Sequence, residues 1–91
     1  MSTTVRIPTA LRTLTAGASE VSVDGSTVGE ILKSLEVAHP GMAERLFDDT
    51  GALRRFVNVF VADEDIRFLD GLSTPVAAGQ TVSIVPAVAG G

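Results

Sequence analysis

In residues 3–8, Val5 and Ile7 alternate with polar neighbours, a period of two that predicts a strand closed by Pro8. The alternation fails over residues 9–19, where Thr13, Thr15 and Gly17 predict a loop or wide turn. Val21 and Val23 restore it in a second strand, residues 20–23, ended by Asp24-Gly25. The period then lengthens. Thr27-Val28-Gly29-Glu30 has the spacing of a capping box, in which a hydroxyl and a carboxylate satisfy the free amides of a helix start. Val28, Ile31, Leu32, Leu35 and Ala38 follow as one apolar stripe, and Pro40-Gly41 stops the helix. Met42, Leu46 and Phe47 predict a further short helical piece before the turn Asp48-Asp49-Thr50-Gly51.

Residues 55–62 return to a period of two with both faces apolar: Phe56 and Phe60 on one, Val57, Val59 and Val61 on the other. Such a strand is either covered on both sides or keeps one face for a partner. Asp63-Glu64-Asp65 predicts a turn, Ile66-Arg67-Phe68 a short strand, and Asp70-Gly71 and Ala78-Gly79-Gln80 two further turns. The last strand, residues 81–86, sets Val82 and Ile84 on the core face and Val85 on the other. Strand, strand, helix, strand, short strand, strand is the order of an α+β roll with one helix across one sheet face.

Ninety-one residues suit a single domain, 1–91, and 45% apolar with 20% charged residues suits a folded one. No apolar run approaches the ~18 residues of a membrane span, and the start lacks the regions of a signal peptide, so the expected setting is the cytoplasm. The chain has no cysteine, which removes disulfides, cysteine metal sites and thiol catalysis. A net charge of −4 with scattered basic residues gives no footprint for nucleic acid.

Catalytic constellations are sparse. His39, the one histidine, stands beside the helix-ending Pro40 and suits a surface or capping role better than a general base or metal ligand. Turn chemistry accounts for Asp48-Asp49 and Asp63-Glu64-Asp65, although a hard cation is the alternative. Gly25 and Gly29 form no phosphate loop. Arg54-Arg55 can be solvated or can engage acidic groups of a partner. The remaining candidate is the end, Ala87-Val88-Ala89-Gly90-Gly91. Two glycines without Cβ atoms can pass through a narrow slot, and residues 86–91 fully extended reach about 20 Å.

The close Pro86-Ala87-Val88-Ala89-Gly90-Gly91 and the element order together resemble the β-grasp, ubiquitin-like sulfur carriers of the ThiS, MoaD and CysO type. Ile7-Pro8-Thr9-Ala10-Leu11-Arg12 and residues 55–61 with Asp63-Glu64-Asp65 are most similar to the CysO branch. The resemblance implies a β-grasp roll with a mixed sheet, one main helix packed on one face, and a flexible tail over residues 87–91. It implies a protein co-substrate that is not itself an enzyme. The Gly91 carboxylate would be adenylated by a ubiquitin-activating-type enzyme using Mg-ATP, then converted to a thiocarboxylate by a sulfurtransferase persulfide. Val88, Ala89 and Gly90 would thread the partner's channel, with no metal or cofactor bound by the carrier. For the CysO branch the sulfur would go to a pyridoxal-phosphate cysteine synthase acting on O-phosphoserine, and a zinc-dependent JAMM peptidase would release cysteine. An outward face of Val59, Val61 and Val85, with Arg54 and Arg55 nearby, would dock on the activating enzyme. Alternatives within the same chemistry are a MoaD-type small subunit of molybdopterin synthase and a ThiS-type thiamine carrier. Outside it stand a ubiquitin-like modifier joined to lysines, and an interaction module with an inert tail.

Overall fold

The computed structural model describes residues 2–55 and 57–86, so Phe56 and the tail call over residues 87–91 lie outside the described residues. Strands β1 (Ser2–Arg6), β2 (Glu20–Asp24), β3 (Val57–Val61), β4 (Glu64–Asp65) and β5 (Thr81–Pro86) form a mixed sheet in the order β2-β1-β5-β3-β4. Central β5 runs parallel to β1, with Val5 opposite Val82, and antiparallel to β3, with Val59 opposite Ile84. Helix α1 (Val28–Ala38) and the short α2 (Met42–Leu46) complete the regular elements.

One core holds the roll together. Val28, Ile31, Leu32 and Leu35 of α1 meet Val5, Val59, Val82 and Ile84 from the sheet, and Met42, Leu46 and Ile66 fill its ends. Burying a side chain of this size contributes roughly 1.5–3 kcal/mol, so this shared face dominates the stability. Ala38, predicted in the apolar stripe, is exposed at the last residue of the helix, so the buried stripe ends at Leu35.

The capping box forms with one difference. The Glu30 amide donates to the Thr27 hydroxyl at 3.2 Å. The Glu30 carboxylate reaches one residue beyond the cap, where the Ser26 amide and hydroxyl donate to it at 2.8 and 2.7 Å. Those bonds from Ser26, the amide first, hold its pKa below the usual glutamate value. Glu36 makes the next connection, because the Gly41 and Ala43 amides donate to its carboxylate and thereby cap α2.

Two expectations change, one for a loop and one for a strand. Residues 9–19 contain a 3₁₀ helix, Thr9–Thr15, seated by buried Leu11 and by Thr15, whose hydroxyl contacts the carbonyls of Arg12 and Ala18. Ile66–Phe68 is a 3₁₀ turn where a strand was predicted. Asp65 caps it by accepting from the Arg67 amide at 2.8 Å, and the paired segment is Glu64–Asp65 just before it.

Candidate functional site

β5 ends at Pro86, and the geometry there follows from how the strand loses its neighbours. Its pairing with β1 stops at Ser83, opposite Arg6, because Pro8 turns β1 away into the 3₁₀ helix. Residues 84–86 keep only β3, through Ile84–Val59, Val85–Asn58 and Pro86–Val57. A depression of about 600 Å³ opens on the vacated side, lined by Arg6, Pro8, Arg12, Phe60, Val85 and Pro86 among others. A second, of about 360 Å³, lies against Leu11, Arg45, Arg54, Val57, Ile84 and Pro86. Pro86 therefore stands between two hollows.

The walls are held by backbone carbonyls. Arg12 Nε donates to the Ile7 carbonyl at 3.2 Å, which fixes its side chain beside the first hollow. Arg54 Nε donates to the Glu44 carbonyl at 3.1 Å, and the Arg54 amide donates to the Leu46 carbonyl at 2.9 Å. Arg54 thus ties the segment before β3 to α2, whereas Arg55 is exposed. β4 pairs only with Phe60 and Val61, so the outer edge of β3 before them has no strand beside it. Arg67 occupies that edge: its guanidinium donates to the Val57 carbonyl at 2.8 Å, the Arg55 carbonyl at 3.2 Å and Asn58 Oδ1.

The expected docking face is reversed. Val59 and Val61 are 1% and 5% exposed and belong to the core, so they cannot form an outward surface with Val85. Residues directly opposite in a ladder share a face. Val59 opposes Ile84, whereas Val85 opposes Asn58. The open face consequently carries Phe60, Ser83 and Val85, the last 45% exposed, with Arg6 beside Ser83 on β1. Asn58 carried the signal, since a polar residue in register with Phe60 marks the wetter side. Arg12 and Arg67 had no comparable mark in the sequence, because Arg12 bonds a backbone carbonyl, which no residue type signals, and Arg67 reaches two carbonyls and the Asn58 side chain nine to twelve residues back.

The remaining candidates are structural. Asp48 accepts from the Thr50 hydroxyl and amide and from the Ala52 amide, and these bonds, the hydroxyl first, lower its pKa. His39 caps the end of α1, its amide donating to the Leu35 carbonyl. Among the described residues no three His, Asp or Glu side chains converge as metal ligands, and no helix is long and apolar enough to cross a membrane. Val88, Ala89, Gly90 and Gly91 lie outside the described residues.

A model of the ThiS family matches residues 5–91. Sulfur carrier protein CysO of Mycobacterium tuberculosis is 50% identical over 93 residues, with 100% of both chains covered. Small archaeal modifier protein 3 of Haloferax volcanii is 43% identical over 68 residues, 75% of this chain and 73% of that one. The structure also resembles the crystal structure of an Amycolatopsis orientalis BexX/CysO complex, with a TM-score of 0.91 and 49% identity over 98% of this chain and 99% of that chain.

Proposed function

The chain belongs to the ThiS family of ubiquitin-like sulfur carriers, and from that premise we propose that Gly91 is the residue whose carboxylate bears the sulfur. The observation that carries this reading is the family match extending through the diglycine to residue 91. A carboxylate resists substitution until its oxygen becomes a good leaving group. Attack of the Gly91 carboxylate on the α-phosphorus of ATP would release pyrophosphate and leave an acyl-adenylate, with Mg supplied on the nucleotide. A persulfide sulfur would then form the C–S bond as AMP leaves. A second thiol would cleave the resulting disulfide and free the thiocarboxylate. Both catalysis and ATP belong to the activating partner in this scheme, and the carrier contributes the tail and a surface.

That surface is the face of Phe60 and Val85 with Arg12 at its edge, continuous with the hollow beside Pro86. Exposed Arg55 is available to an acidic rim, whereas Arg54 is engaged with Glu44. The similarity to CysO favours cysteine formation on a pyridoxal-phosphate synthase, with O-phosphoserine as the acceptor's precursor and a JAMM-type peptidase for release. The cytoplasm is the setting in which these partners would meet it.

The test is thiol alkylation followed by intact-mass analysis after incubation with ATP, an activating enzyme and a sulfur donor. The chain has no cysteine, so stable alkylation localised to Gly91 supports sulfur carriage. Unimpaired loading after deletion of Gly91 would overturn it. The likeness to small archaeal modifier protein 3 favours a second reading, attachment of Gly91 to target lysines. Trypsin would leave the 24 residues 68–91 on such a lysine, since no Lys or Arg follows Arg67.

A further inference from the structure

Phe68 is the most exposed large apolar side chain among the described residues, at 86%, and its neighbour Leu69 is 40% exposed. A single exposed apolar residue needs no explanation, whereas a group of them marks an interaction surface. Here they form a group. With exposed Ala62 and Pro75, the two side chains border a hollow of about 500 Å³ that Glu64 and Asp70 also line.

The segment is pinned on both sides, so its exposure is not fraying. Buried Ile66 anchors the 3₁₀ turn, Asp65 caps it, and the Leu69 amide donates to the Ile66 carbonyl at 3.0 Å. The Asp70 amide donates at 3.0 Å to the hydroxyl of buried Thr74. A backbone already held in place loses little freedom when a partner binds.

Charge narrows the occupant. Among the described residues no Lys or Arg lines the hollow, and neighbouring Arg67 sends its guanidinium to the Arg55 and Val57 carbonyls and to Asn58. Neither Glu64 nor Asp70 enters a salt bridge among the described residues. A wholly apolar partner would cover these carboxylates without pairing them, which opposes binding. One that sets arginine or lysine beside an apolar side chain satisfies both halves of the site.

Position separates this surface from the hollows beside Pro86. Val61 opposes Val82, and the Ala62 amide donates to the Thr81 carbonyl at 3.2 Å, so the Phe68 hollow lies by the start of β5. Pro86 ends the same strand, roughly 17 Å further on at the usual rise per residue. We infer that the hollow at Phe68 and Leu69 is a second docking site, for a protein segment in which an apolar side chain is flanked by arginine or lysine. Its occupant leaves the surface beside Pro86 open, and the inference does not depend on the chemistry of Gly91.

The test follows the isotopically labelled full chain by NMR as three synthetic peptides of equal length are added, alternating leucine with arginine, serine with arginine, and leucine with glutamate. The leucine–arginine peptide should shift amides within residues 61–74 and leave those of Ile84 and Val85 unchanged. Phe68→Ser should weaken its binding by about tenfold. Glu64→Gln combined with Asp70→Asn should weaken it by about fivefold and flatten its dependence on salt. Circular dichroism checks that the variants fold. Equal binding of the serine–arginine peptide would mean general attraction to an acidic protein, and equal binding of the leucine–glutamate peptide would remove the role of charge. Either result overturns the inference, as would undiminished affinity in Phe68→Ser or no shift within residues 61–74. Shifts of those amides with protein concentration alone would give the hollow to a second copy and overturn it too.

Discussion

At the scale of single residues, the clearest constraint is Gly25. A Cβ built there would meet Ile31 Cγ1 at 2.7 Å and the Ile31 backbone nitrogen at 2.8 Å, so the loop after β2 packs directly on the first turn of α1. Gly25→Ala should lower stability by about 1–3 kcal/mol, read as a fall in urea midpoint with an unchanged slope. No change in midpoint would mean that the loop gives way freely. The two valine positions of the sheet make a second test. Val59→Ala removes buried volume and should cost about 2 kcal/mol, whereas Val85→Ser on the open face should stay within ~0.5 kcal/mol. Partner binding should respond the other way: Val85→Ser weakens it, and Val59→Ala leaves it alone where the protein is folded. Equal loss of stability in both variants would refute the assignment of faces.

At the scale of elements, α1 is anchored by side chains that sequence spacing only partly reveals. The Thr27–Glu30 box was legible because it depends on residues three apart, a distance fixed by the helix itself. The reach of Glu30 to Ser26 depends on the path of the preceding loop, which Gly25 sets by packing on Ile31. That packing was read from sequence merely as a strand end. Likewise, alternation located β3 but left its faces open, and only the ladder with β5 decides them. The tail was legible as composition, while the hollows beside Pro86 required the early end of the β1–β5 pairing. The Glu30 anchor carries a pH signature. Its carboxyl is held below its ordinary 4.5 in the folded state, so its contribution is complete above that value and disappears as pH falls through the depressed one. Glu30→Gln should therefore melt earlier than the parent near neutral pH, with the gap closing in acid. A gap that persists unchanged below the ordinary carboxylate range would assign the loss to packing instead of charge.

At the scale of the molecule, the hold on the last residues of β5 depends on an edge two strands away from β1. Beyond Ser83, β5 has lost β1 and leans on β3 alone; β3 at residues 57–58 in turn has no β4 beside it. Arg67 closes this gap from the 3₁₀ turn, with one planar group serving two carbonyls and an amide oxygen. Hydrogen bonds to charged groups contribute roughly 1.5–3 kcal/mol each where they are not replaced by water, and this edge is partly exposed, so the lower part of that range applies. Arg67→Ala should therefore speed amide exchange at residues 57, 58 and 85 by about tenfold, while amides of Val5 and Val82 keep their protection. Arg67→Lys should behave like the alanine variant, since one ammonium cannot reproduce a fork spanning three acceptors. A strand that opens at residues 57–58 releases Val85 and Pro86 as well, so the same variants should raise the KM for the carrier in sulfur loading and leave kcat near the parent value. Uniform acceleration of exchange across the sheet would mean instead that Arg67 supports the whole fold and has no particular bearing on the end of β5.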